Sequence, residues 1–182
     1  MIDPTNGSLS GVVVSRSGAG IGGLAVIGRD PDNGAVLAET TTSSSGAFSL
    51  SHESALALDI VHSFNGTAAR PVTAMDALEV LRIAVGLAPG FAADGLRMAD
   101  FVAADVTRDG RVTAVDALEV LRITVGLTPL PAPVFLPVNE AQTPATRDGP
   151  NGAAAPATLS PDAVDFVAVL PGDLDASYAW LV

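Results

Sequence analysis

The residues best suited to chemistry lie in one stretch, Asp105-Val106-Thr107-Arg108-Asp109-Gly110-Arg111-Val112-Thr113-Ala114-Val115-Asp116. Asp105, Thr107 and Asp109 fall at positions 1, 3 and 5 of a twelve-residue loop. Gly110 sits at position 6, where a sharp turn needs a residue without Cβ. Arg111 at position 7 offers its backbone carbonyl and leaves its side chain free. Val112 at position 8 points toward a core. Thr113 at position 9 ligates directly or through water, and Asp116 closes the loop at position 12. Such an all-oxygen set suits a hard cation, and the spacing is that of a Ca2+ loop. Two departures lower the expected grip: Thr at position 3, and the short Asp in place of Glu at position 12. Arg108 and Arg111 also dilute the local negative charge. The expected affinity falls in the extracellular range, roughly 10⁻⁵ to 10⁻³ M. The plainer alternative is an Asp-Gly turn that caps a helix, with Thr113 as N-cap and Asp116 at N3.

The element that must hold this loop is a helix, and it occurs twice. Thr73 to Leu87 recurs as Thr113 to Leu127 at an offset of 40, with only Met75/Val115 and Ala84/Thr124 differing. Leu78, Leu81 and Val85 fall at helical spacing, widened by Val80 and Ile83, and are the expected inner stripe. Gly86 and Gly126 stand where a C′ glycine belongs, and a proline follows each. Asp94 to Ala104 reads as a shorter helix with Leu96, Ala99, Phe101 and Val102 inward. The first copy has its own aligned loop, Asn65 to Asp76, but Ala69 and Arg70 occupy positions 5 and 6. A second metal site there would use Asn65, Thr67, Thr73 and Asp76. It would need help from Asp173 and Asp175, two carboxylates on the turn Gly172 to Ser177 that could fold back to it.

Around the helices the chain reads as β-structure. Leu9–Ser15, Leu24–Gly28, Ala35–Thr42, Ala47–Leu50 and Ala55–His62 are strand-like, with turn signals between them about every ten residues. After a Pro-rich connector, Val134–Val138 and Val164–Leu170 are strand-like, and Asn139 to Pro161 is turn-rich. The strands on each side are few, so they are expected to pair with each other. The expected fold is α+β: a β-sandwich of N- and C-terminal strands with the helical pair inserted. The expected division is residues 1–62 (strands), 63–130 (loop–helix repeats) and 131–182 (strands that pack back on the first part).

Two resemblances follow from these residues. Gly11-Val12-Val13-Val14, Gly23-Leu24-Ala25-Val26 and Gly46-Ala47-Phe48-Ser49-Leu50 make residues 8–62 similar to carboxypeptidase-regulatory-like (transthyretin-like) β-sandwich repeats. The paired loop–helix units with Asp at the twelfth position resemble the dockerin type I repeat. The stretch Pro71 to Tyr178 looks like a dockerin-bearing region of large bacterial exported proteins, with a degenerate first repeat and an intact second. That resemblance implies calcium binding, an extracellular or cell-surface location and a role in assembly or attachment. The partner would be another protein or further copies of the same chain, with a polysaccharide as a further option. Dockerin recognition positions fall on Ala74, Met75, Leu81, Arg82, Ala114, Val115, Leu121 and Arg122. Apolar residues stand where the usual Ser/Thr pair would be, so this face is expected to pack on the β-part or on a partner other than a cohesin.

Composition narrows the functional classes. The formal net charge is −11 and the pI about 4.2, which disfavours nucleic acid as a partner. All nine basic residues are Arg, so lysine chemistry is excluded. There is no Cys, which excludes thiolate zinc sites, disulfides and Cys nucleophiles. No apolar run reaches the ~18 residues of a membrane span. Gly18-x-Gly20-x-x-Gly23 leads into a strand rather than a helix, so it is not a dinucleotide fingerprint. No nucleophile–base set stands out, and a non-enzymatic role is expected.

Overall fold

The computed structural model describes residues 7–52, 56–62, 71–92, 94–150, 165–178 and 180. The fold is α+β. Five strands come first: β1 (Gly7–Ser15), β2 (Ala25–Arg29), β3 (Val36–Thr41), β4 (Ala47–His52) and β5 (Ala57–Val61). Three helices follow: α1 (Ala74–Ala84), α2 (Met98–Ala104) and α3 (Ala114–Thr124). The last part holds β6 (Val134–Pro137), the single turn α4 (Val138–Ala141), the small hairpin β7 (Ala145–Thr146) and β8 (Gly149–Pro150), and β9 (Phe166–Val169). Val164, expected to begin this last strand, lies outside the described residues.

The strands form a four-stranded sheet in the order β4-β1-β9-β6 and a three-stranded sheet in the order β3-β2-β5. β9 runs parallel to β1, with Val13 opposite Phe166, and antiparallel to β6, with Val134 opposite Val169. A strand from the end of the chain therefore sits between strands from its beginning and its middle. All four residues of β9 are buried. Alternation sends Phe166 and Ala168 to one face, where they join Val13, Ile21, Leu24, Val26, Phe48 and Leu50. It sends Val167 and Val169 to the other, where they join Val80, Ile83, Phe101, Val120 and Leu174. β9 thus belongs to both hydrophobic cores.

α1 and α3 pack against one another, and their ends repeat the same chemistry. Thr73 and Thr113 each accept a hydrogen bond from the N–H two residues on and complete a capping box with Asp76 and Asp116. At the other end Gly86 and Gly126, at φ 79° and 77°, turn the chain out of each helix. Gly86 N–H donates to Ile83 O and Leu87 N–H to Arg82 O, and Gly126 and Leu127 do the same to Ile123 and Arg122. These are Schellman motifs.

The rotation of both helices differs from the expected one. Ala77, Val80 and Ile83 are buried, as are Ala117, Val120 and Ile123. Val80 and Ile83, expected to widen the inner stripe, are among the buried residues, but Leu78, Leu81 and Val85, expected at its centre, are exposed, and so are Leu118, Leu121 and Val125. The cause lies at the N-terminus of each helix. Asp76 and Asp116 are almost fully buried, and each fixes which side faces in. Positions i+4 and i+7 from them, Val80/Ile83 and Val120/Ile123, then lie on the inner face. Periodicity alone ranked the larger stripe as core, but the polar anchor overrides it.

Candidate metal centre

The continuous loop closes as its residue types require. Asp105, 7% exposed, follows directly from α2. Its Oδ1 accepts from Asp109 N–H at 3.1 Å and its Oδ2 from Gly110 N–H at 2.9 Å. Gly110 adopts φ 86° and Arg108 φ 59°. Asp116 bridges both ends of the loop. Its Oδ1 accepts from Thr107 N–H at 3.0 Å and Thr107 Oγ1 at 2.8 Å. Its Oδ2 accepts from Thr113 N–H at 2.8 Å and Thr113 Oγ1 at 3.1 Å. Asp109 turns back onto Arg111 N–H at 2.9 Å. Val112 is buried, as its position predicts, and its N–H donates to Arg147 O in the β7–β8 turn at 2.7 Å. Arg111 pairs with Asp148 in the same turn at 2.9 Å.

The second loop is assembled from two distant pieces. Asp173, Leu174, Asp175, Ala176 and Ser177 stand against the N-terminus of α1 and repeat the first five positions of the continuous loop. Asp173 Oδ1 accepts from Ser177 N–H at 3.0 Å and Oδ2 from Tyr178 N–H at 3.1 Å, matching the bonds of Asp105. Ala176 takes φ 57°, matching Arg108. Leu174 is fully buried, in the place of Val106. Asp76 plays the part of Asp116. Its Oδ1 accepts from Leu174 N–H at 2.8 Å and Asp175 N–H at 3.3 Å. Its Oδ2 accepts from Thr73 N–H and Thr73 Oγ1, both at 2.8 Å. Val72, 3% exposed, matches Val112. Ser177 Oγ, 3.3 Å from Pro71 O, ties the two pieces together.

This split loop gathers its carboxylates more tightly than the continuous one. Oxygens of Asp76, Asp173 and Asp175 all lie within 4.8 Å of one another, the one such three-residue cluster among the described residues. Asp173 is 4% exposed. Burial, a hydrogen bond shared with Asp175 and the charge of Asp76 push its carboxyl up to about 6. Burial, then the charges of Asp116 and Asp109, raise Asp105 above its ordinary value against the pull of the Gly110 N–H. Both sites thus concentrate negative charge that a cation would offset. The donors are carboxylates, hydroxyls and carbonyls, a hard-oxygen set that fits Ca2+.

Of the residues expected at the second site, Asp76, Thr73, Asp173 and Asp175 come together. Asn65 and Thr67 lie outside the described residues. Ser177 was not foreseen as a site residue, although the spacing Asp173-x-Asp175-x-Ser177 repeats positions 1, 3 and 5. Arg16 was also missed. It leaves the end of β1, donates from Nη1 to Asp173 O at 2.7 Å and pairs through Nη2 with Asp100. Its guanidinium lies 5.6 Å from the centre of the Phe91 ring. A single Arg between two serines carries no signal of such a role. The expected recognition residues Ala74, Met75, Leu81, Ala114, Val115, Leu121 and Arg122 are exposed and Arg82 is half-buried. They do not pack on the β-part.

Comparison with protein-family models, with curated proteins and with solved structures finds no match.

Proposed function

We propose that this chain is a calcium-stabilised, non-enzymatic assembly module of an extracellular or cell-surface protein, with one metal in the continuous loop and one in the split loop. The observation that carries the reading is the repetition of one hydrogen-bond pattern around Asp116 and Asp76. The two patterns arise from segments with different chain connections, as two copies of one ligand cage would. Calcium would be held by Asp105, Thr107, Asp109, the Arg111 carbonyl, Thr113 and Asp116 in one site. In the other it would be held by Thr73, Asp76, Asp173, Asp175 and Ser177. The metal supplies charge neutralisation, and the protein's part is to fix the N-termini of α1 and α3. The dockerin resemblance agrees with this reading.

A second observation favours docking over a purely internal role. Leu81 and Leu121 are 39% and 40% exposed, and Val115 is 60% exposed. Burial of these residues would have left the helices nothing to offer a partner. The exposed stripes are aliphatic, which suits a protein surface. Calorimetric titration of the full chain with Ca2+ tests the metal reading. Two sites are expected, falling to one in Asp105→Asn, together with a rise in melting temperature that a chelator reverses. No heat of binding and no thermal shift in millimolar Ca2+ would defeat it.

A further inference from the structure

We propose that this chain carries a binding site for a neutral saccharide, in the cavity between the end of β1, the α1–α2 connection, the start of α2 and the split loop. The cavity measures about 540 Å³, within the roughly 300–1,000 Å³ of small-molecule sites. Arg16, Phe91, Asp94, Arg97, Asp100 and Gln142 line it, over an apolar floor that includes Val167 and Leu174. Val167 and Leu174 belong to the helical core, so packing fixes the floor. Asp175 and Ala176 of the split loop form one wall, but the ligand itself needs no metal.

Arg16 is the residue that points to a ligand. Its side chain is 9% exposed, and a guanidinium has five N–H donors. One goes to Asp173 O and one to Asp100 Oδ1. The other three, Nε–H among them, have no acceptor among the described residues. Buried donors of this kind are costly unless an oxygen meets them. The uncommitted groups around Arg16 are of both kinds. Arg97 keeps donors beyond its bond to Gln142 O. Asp94 offers acceptors and the Gln142 amide offers both, and neither side chain has a partner among the described residues. A hydroxyl donates and accepts at once, so a polyhydroxyl ligand satisfies a mixed set that a lone anion or cation would satisfy by half. Charge agrees. Arg16 and Arg97 stand against Asp94, Asp100 and Asp175, two positive groups to three negative, on a chain of −11. An anionic ligand would add to that excess, and a cationic one would meet two guanidinium groups. Phe91, 37% exposed, supplies an apolar plate. Arg16 lies over one side of its ring, 5.6 Å from the centre, and the open side suits the C–H face of a sugar ring.

Heteronuclear NMR of the full labelled chain, read at the Arg16 Nε–H signal, tests the proposal. Cellobiose, maltose and lactose are the probes, titrated in turn, with glucuronate and acetate as charged controls. The expected result is a saturable shift with at least one disaccharide and none with acetate. Phe91→Ala and Asp94→Ala should each weaken binding about tenfold, the worth of one contact. Both should keep the parent's melting temperature and its amide spectrum away from the cavity, which shows that they fold. Arg16 is left unsubstituted here because it also holds Asp173. No saturable shift with any of the disaccharides, a stronger response to glucuronate than to every neutral sugar, or binding that survives both substitutions unchanged would each overturn the inference. The titrations are run in millimolar Ca2+ and again in chelator, so that binding in either medium supports the cavity even where the metal reading fails.

Discussion

Asp173→Asn separates a metal ligand from a turn-capping residue, because the two roles predict opposite dependence on calcium. Asp173 is 4% exposed, and its carboxyl is pushed up to about 6 by burial, the bond shared with Asp175 and the charge of Asp76. At pH 7 without metal it is largely ionised, against its own environment. A shift of about two pH units corresponds to about 3 kcal/mol of destabilisation. Asn removes that charge and keeps one acceptor for Ser177 N–H, but faces Tyr178 N–H with a second donor. The lost bond costs about 1–3 kcal/mol. In a chelator the variant should therefore melt within a few degrees of the parent, or above it. In Ca2+ at 100-fold over Kd each filled site adds about 2.7 kcal/mol, which is about 5–11 °C for a domain of this size. The parent should show two such increments and Asp173→Asn one. Paired melts in chelator and calcium, with the site count from calorimetry, measure both quantities. An equal drop in both media would assign Asp173 to the turn alone and refute the split site.

The remaining predictions are simpler. Without calcium, the cost of burying Asp173 should shrink as pH falls from about 6 toward 4, while the lowered carboxyls of Asp175 and Asp148 act with the opposite sign. The folded carboxyl of Asp173 titrates near 6 and the unfolded one near 3.8, so acidification protonates the folded state first. Asp105, also raised, contributes with the same sign, and saturating calcium should flatten the profile; denaturant melts across pH follow it. Ile83→Ala, at a side chain 1% exposed, should cost about 2–5 kcal/mol. Leu78→Ala, 47% exposed, should cost under about 1 kcal/mol, and the reverse order would place the helix faces wrongly. Arg16→Ala should cost about 3 kcal/mol, because it strands Asp100 at 14% exposure. It should also weaken calcium at the split site while leaving the continuous site unchanged, as two-site titration would resolve.

Much of this fold is legible in the chain because its signals are local. Thr73 with Asp76, and Thr113 with Asp116, mark the helix starts; Gly86 and Gly126 mark the ends. The helix rotation was legible only in part, since hydrophobic periodicity includes Val80 and Ile83 in the inner stripe but centres it on Leu78, Leu81 and Val85 and leaves out Ala77. Only the buried carboxylate at the helix start shifts that centre. The continuous loop could be read whole because its oxygen-bearing residues lie within twelve consecutive positions. The split loop could be read only as an option: Thr73 and Asp76 as the tail of a decayed repeat, with Asp173 and Asp175 on an acidic turn that could fold back to it. Composition and spacing allow that meeting of residues almost a hundred positions apart without fixing it, and β9 is what brings them together.

β9 also explains why a loop can be divided at no loss of geometry. It is inserted between β1 and β6 and buried on both faces. Its end is therefore fixed relative to the helical core. Gly172 N–H donates to Ala103 O in α2 at 2.8 Å, and two residues later Leu174 N–H meets Asp76. A half-loop delivered by a central strand needs no covalent link to the helix it caps, because strand register does the work that chain connection does in the continuous loop. The consequence is an unequal dependence on the β-part. Filling the continuous loop orders residues that are already neighbours. Filling the split loop joins residue 173 to residue 76, a closure whose entropy the folded sheet has already removed. Calcium at the split site should therefore stabilise the sheet and the helices as one unit.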